Sequence, residues 1–196
     1  MPNLLDYYTD LLNWEGVQAI SLVHPWPLQL RQAVEADIVS AVNASGVKGT
    51  NCPIPRGTSN QSTGNKVENY TIPLLENHTS AFSMGACSGA GYPDKILTER
   101  STRLKIPLEV KATSDWNPAD SNRRVLTSSS TKLRKQFTAP IHHLLLTVLY
   151  SPSSSYATID AIRLDFLEPS TSVSVRLEAS VNHKILSNGP HHTKVI

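Results

Sequence analysis

Leu104-Lys105-Ile106-Pro107-Leu108-Glu109-Val110-Lys111-Ala112 decides how this chain is read. Leu104, Ile106, Leu108 and Val110 alternate with the other positions, which is the period of a β-strand. Glu109 and Lys111 then share one face, and apolar side chains fill the other. Pro107 removes a ladder donor, so the spacing predicts an edge strand or a bulge. Pro93-Asp94 lies upstream, with fourteen residues between Asp94 and Glu109, the length of a plain hairpin with a short turn. Two carboxylates and an amine brought to one point can hold a divalent cation and orient a water. A magnesium ion takes hard oxygen ligands, often one or two carboxylates with waters and substrate phosphate. Asp94 and Glu109 supply the carboxylates, and the main-chain carbonyl of Val110 is a candidate third ligand. Lys111 would hold the attacking water or stabilise transition-state charge.

The arrangement Pro93-Asp94 … Glu109-Val110-Lys111 resembles the PD-(D/E)XK nuclease superfamily, and within it a small type II restriction endonuclease. The resemblance is specific over residues 64–113; later elements fit the family's mixed sheet only in their order. It implies that Asp94 and Glu109 bind Mg²⁺ and that Lys111 positions the nucleophilic water. Members often carry one more acidic residue on a helix ahead of this pair. Glu68 is the first choice for that role, Glu35 the rival and Glu76 the third.

Around this segment the chain reads as a single domain spanning 1–196, large enough for a substantial core. Residues 1–63 read as N-terminal helices and a polar loop, 64–150 as the catalytic core, 151–186 as C-terminal strands and 187–196 as a frayed tail. Apolar spacing predicts helices over 4–20 and 28–44, broken by His24-Pro25-Trp26-Pro27. Residues 45–64 read as a loop, and 64–79 as a helix that Pro73 kinks or breaks. Residues 81–90 are small and glycine-rich. Strands are expected over 91–98 and 104–113, a helix over 126–137, a doubly buried strand over 142–150, and strands over 157–167 and 172–181. This is an α/β order: a mixed central β-sheet flanked by helices, with a restriction-endonuclease-like core.

Composition bounds the rest. The formal charge is +2, too small to announce a nucleic-acid binder by itself. Its distribution says more. Asn122, Arg123, Arg124, Lys132, Arg134 and Lys135 crowd one region without an acidic residue among 121–137, and Ser128 to Ser130 stand at an expected helix start. These are the expected DNA-binding residues: Ser128, Ser130, Lys132 and Lys135 for phosphates, and Asn122, Arg123 and Arg124 for phosphates or bases. Cys52 and Cys87 are neither a disulfide framework nor a zinc ligand set. The chain starts without a signal-peptide pattern and holds no long apolar run, so a cytoplasmic, prokaryotic setting without membrane association is expected. Adjacent strand residues face opposite ways, so His142 and His143 do not chelate one ion. Trp116 either stacks on a base or covers a core.

The expectation is thus a Mg²⁺-dependent endonuclease acting on double-stranded DNA at a specific palindromic site. It would work as a homodimer, paired with a cognate DNA methyltransferase, and leave 5′-phosphate ends. A structure-selective DNA nuclease (a junction resolvase or repair enzyme) and a non-enzymatic nucleic-acid-binding domain are the alternatives.

Overall fold

A computed structural model describes residues 3–6, 23–89, 92–116, 133, 136–137, 141–176, 182–185 and 192–196. Helix α1 spans Leu28–Ser45 and α2 spans Asn60–Glu76. The strands are β1 (Asn51–Pro53), β2 (Phe82–Ala86), β3 (Lys95–Glu99), β4 (Lys105–Thr113), β5 (His143–Pro152), β6 (Tyr156–Leu167), β7 (Val173–Arg176), β8 (Asn182–Ile185) and β9 (His192–Val195). Seven of them form one sheet in the order β1-β6-β5-β4-β3-β2, with β9 also on β6. Strands β7 and β8 make a separate hairpin. Among the described strands only β4 and β5 pair in parallel. A parallel pair needs a long crossover, and residues 114–142 supply it. The architecture is mixed α/β, with helices packed on a mixed sheet.

The alternation of β4 sets the layers. Ile106, Leu108, Val110 and Ala112 face a core shared with Leu146 and Val148 of β5 and Leu164 and Phe166 of β6. Val34, Ile38 and Val42 of α1 and Val67, Ile72 and Leu75 of α2 close that core from the helix side. The opposite face of β4 carries Glu109, Lys111 and Thr113. It is not an open polar face, as the alternation implies, because Glu109 is 1% exposed.

Pro107 sits on neither an edge nor a bulge. Strand β4 is central, with Pro107 opposite Ile96. The pairing with β5 starts only at Leu108, so the missing donor falls where β4 has a neighbour on one side. Helix α2 begins at Asn60 rather than 64, because the Ser59 hydroxyl caps it by accepting from the Ser62 N–H. It also runs through Pro73 to Glu76 without breaking. Strand β1 lies in the segment that reads as loop, and β2 in the small, glycine-rich stretch 81–90, whose sequence predicts no element. In the tail, His192–Val195 form β9 on β6, where Thr193 stands opposite Asp165. Of the stretch 172–181, Val173–Arg176 is strand β7, and 177–181 lie outside the described residues.

One buried acid ties helix to sheet. Asp37 of α1 accepts from the Ser80 and Ala81 N–H groups and the Ser80 hydroxyl through Oδ1, and from the Phe82 N–H through Oδ2, all within 2.8–3.0 Å. Burial pushes its carboxyl up, but these bonds outweigh burial and hold it below the usual value.

Candidate active site

Strand β4 changes partners at Leu108. Before that residue it pairs with β3, and after it with β5. Pro93, which would extend the β3 ladder, has no N–H to offer, and the Tyr92–Pro93 peptide is cis. The β3-side edge of β4 is therefore open from Glu109 onward. Its backbone amides still need acceptors, and carboxylates supply them. Asp94 Oδ2 accepts from Val110 N at 3.1 Å, and Glu68 Oε1 accepts from Ala112 N at 2.9 Å. A strand residue exchanges its N–H and C=O with the same neighbour, so the Val110 carbonyl opens onto this same edge.

Glu109 and Lys111 come from the sheet face beside that edge. Lys111 Nζ lies 2.8 Å from Glu109 Oε1 and 3.6 Å from Asp94 Oδ2. A cavity of about 200 Å³ opens alongside, lined by Glu68, Asn69, Ile72, Asp94, Lys95 and Val110. The fold thus brings the sequence-predicted Asp94, Glu109, Val110, Lys111 and Glu68 to one place. It also decides among the helix acids. Glu35 is turned away to an ion pair with Lys194 on β9, and Glu76 is paired with Lys95 at 2.6 Å. Glu68 alone of the three reaches β4.

The electrostatics follow from burial. Desolvation lifts the Glu109 carboxyl to about 7; the Asp94 charge adds to this, and Lys111 opposes it. Glu68 is lifted to about 7 by the same causes, with the Ala112 N–H also opposing. For Lys111, burial disfavours the charge, but Glu109 and Asp94 outweigh it and hold the ammonium charged far above its ordinary range. Glu109 Oε2 is fully buried and accepts no hydrogen bond from any described residue. An unpaired buried carboxylate oxygen costs on the order of 1–3 kcal/mol or more. A divalent cation would satisfy it, so the donor set fits a hard metal ion held by Asp94, Glu109 and the Val110 carbonyl. Among the described residues no group of three or more His, Cys, Asp or Glu side chains is arranged as a metal cluster. Two carboxylates with waters and phosphate is a usual Mg²⁺ set.

Other expectations fall elsewhere. Asn122, Arg123, Arg124, Ser128, Ser130, Lys132 and Lys135 lie outside the described residues. The Trp116 ring lies under the Arg163 guanidinium, 5.3 Å from its centroid. His142 and His143 do diverge. His142 packs on Trp26, while His143 Nδ1 meets the Tyr92 hydroxyl at 2.5 Å. That last contact, between the residue before Pro93 and the start of β5, has no local sequence signal. Asn69 was also missed; it sits beside Glu68, and only α2's placement brings it to the cavity.

Among the described residues no helix is long and apolar enough to cross a membrane. No protein-family model, no curated protein and no solved structure matches the chain.

Proposed function

We propose that the chain is a Mg²⁺-dependent endonuclease of the type II restriction class, hydrolysing double-stranded DNA at a specific, palindromic site. The observation that carries this reading is the open edge of β4. Asp94 and Glu68 occupy its free amides, Lys111 bridges two acids, and Glu109 Oε2 accepts no hydrogen bond from a described residue. Support also comes from the position of Glu68 on a helix ahead of the Asp–Glu–Lys group, and from the mixed sheet itself. Both agree with the PD-(D/E)XK resemblance of the sequence.

In this reading Asp94 and Glu109, with the Val110 carbonyl, would hold a Mg²⁺ ion, which would supply charge neutralisation at the phosphoryl group. Lys111 is fully protonated at neutral pH, so it donates hydrogen bonds and does not accept a proton. It holds the attacking water in line with phosphorus and balances negative charge building on the non-bridging oxygens. Glu68, which is not among the residues assigned to the ion, is lifted to about 7 by burial, so at physiological pH it is placed to take up the proton that the water gives up. The water oxygen bonds to phosphorus, the P–O3′ bond breaks, and the departing O3′ takes a proton from solvent, so that a 5′-phosphate and a 3′-hydroxyl result. A homodimer in a prokaryotic cytoplasm, guarded by a methyltransferase, would cut both strands of a two-fold site.

The test is digestion of long plasmid DNA with Mg²⁺, followed by sequencing of the ends. Discrete fragments with 5′-phosphate ends support the reading. Cleavage confined to branched substrates moves the assignment to a structure-selective nuclease. Absence of cleavage with any divalent ion overturns the enzymatic reading.

A further inference from the structure

Helix α2 carries an unusual outer surface. Gln61, Asn65 and Asn69 recur every four residues, so they form one inclined ridge, and all three are exposed. None of their side-chain amides is hydrogen-bonded to a described residue. Asparagine is among the poorer helix formers, and an exposed helix face is ordinarily met with charged, better-forming side chains. These residues thus burden the helix without an internal return, a local inconsistency of the kind expected at functional positions. The ridge also has a direction. It ends at Asn69, which lines the same cavity as Glu68 and Asp94. Pro73, also on that wall, lacks the N–H that would otherwise bind the Asn69 carbonyl.

We infer that this amide ridge reads base edges next to the scissile bond, and that the bases it selects are adenines. The inference rests on the nuclease reading for the position of the cut. A carboxamide offers one acceptor and two donors, and Asn or Gln pairs bidentately with adenine N6 and N7 in the major groove. Residues four apart on a helix are separated by about 6 Å of rise, close to two base steps of about 3.4 Å. Asn69, Asn65 and Gln61 therefore address positions at increasing distance from the cavity. Phosphate contacts, by contrast, are served best by cations, and Lys66, Lys95 and Lys111 are the cations in this part of the fold.

The test uses the full chain as wild type, Asn65→Ala and Asn69→Ala. Alanine is the better helix former, so these variants retain α2. Each protein selects from a random duplex library in Ca²⁺, which fills oxygen sites, and the bound pool is sequenced. The wild type is expected to enrich adenines at fixed spacing. Each variant is expected to lose discrimination at one position by roughly 5- to 150-fold, with the other preferences kept. Unchanged preferences in both variants overturn the inference. A uniform loss of affinity over all sequences also does so, since it marks phosphate contact, as does a wild type that enriches nothing. A wild type that selects adenines but never cleaves in Mg²⁺ sinks the nuclease reading and leaves the amide ridge standing.

Discussion

Asp37 and Glu109 are both buried carboxylates, and they stand in opposite electrostatic states. Asp37 receives four hydrogen bonds from residues 80–82, and its carboxyl is held below the usual value. Glu109 has Lys111 on one oxygen, its other oxygen accepts no hydrogen bond from a described residue, and burial with the neighbouring Asp94 carboxyl lifts its own carboxyl to about 7. The first is satisfied by the fold and serves it. The second is left unsatisfied by the fold, and a folded protein carries such a group where an external cation or substrate completes it. The lesson is that burial alone does not separate structural from functional acids; the hydrogen-bond count does.

The contrast can be broken at several points. The largest effect belongs to chemistry. Asp94→Ala and Lys111→Ala should each lower cleavage on the order of 1,000-fold, while circular dichroism stays native. Loss of fold in either variant would place these residues with Asp37. Next comes stability. Asp37→Ala leaves three backbone donors without an acceptor, a cost of about 3 kcal/mol or more. At this chain length that lowers the melting temperature by roughly 10 °C. Glu109→Gln removes a charge that burial disfavours, so at pH 8 without metal it should not lower the melting temperature. Equal destabilisation by Asp37→Asn and Glu109→Gln would erase the distinction.

A smaller effect is the pH dependence of the metal-free protein. Glu68 and Glu109 have folded values near 7, above the ordinary 4.5 of the unfolded chain. The folded state keeps their protons while the unfolded state has lost them, so their contribution to stability falls as pH rises from about 4.5 to 7. Asp37 acts in the opposite sense. Its lowered carboxyl contributes stability above the ordinary value of 3.8, and that contribution is lost as pH falls through the folded value. Wild-type chemical denaturation from about pH 2 to 8 reads both trends, and Asp37→Asn removes only the acid-side loss.

Much of the frame was legible in the chain. The alternation of Leu104 to Val110 and the run Leu144-Leu145-Leu146 gave β4 and β5 nearly to their ends, because repeated apolar periodicity survives in any context. Strand β2 was not legible. Phe82-Ser83-Met84-Gly85-Ala86 has little apolar period, and the sheet rather than propensity makes it a strand. The tail strand β9 is exposed throughout, with Val195 its one apolar residue, and it is held by pairing with β6. The first turn of α2 was obscured by Asn, Ser, Thr and Gly, although Ser59 is a readable cap. For the site, the motif named Asp94, Glu109 and Lys111, and an acid on the preceding helix named Glu68. The partner change at Leu108, which opens the edge of β4, depends on where β3 and β5 begin. No local pattern encodes it. Asp37 had a signal that went unused: it stands on the apolar stripe with Val34, Ile38 and Ala41, where a lone acid must find buried donors.

The central claim is that Asp94 and Glu109 form a divalent-cation site. A Mg²⁺ titration of the melting temperature at pH 8, on wild type and Glu109→Gln side by side, tests it most directly. A saturating rise is expected for the wild type, equivalent to about 2.7 kcal/mol at a hundredfold excess over the dissociation constant, and a flat response for the variant. Equal responses, or none in the wild type, would contradict it.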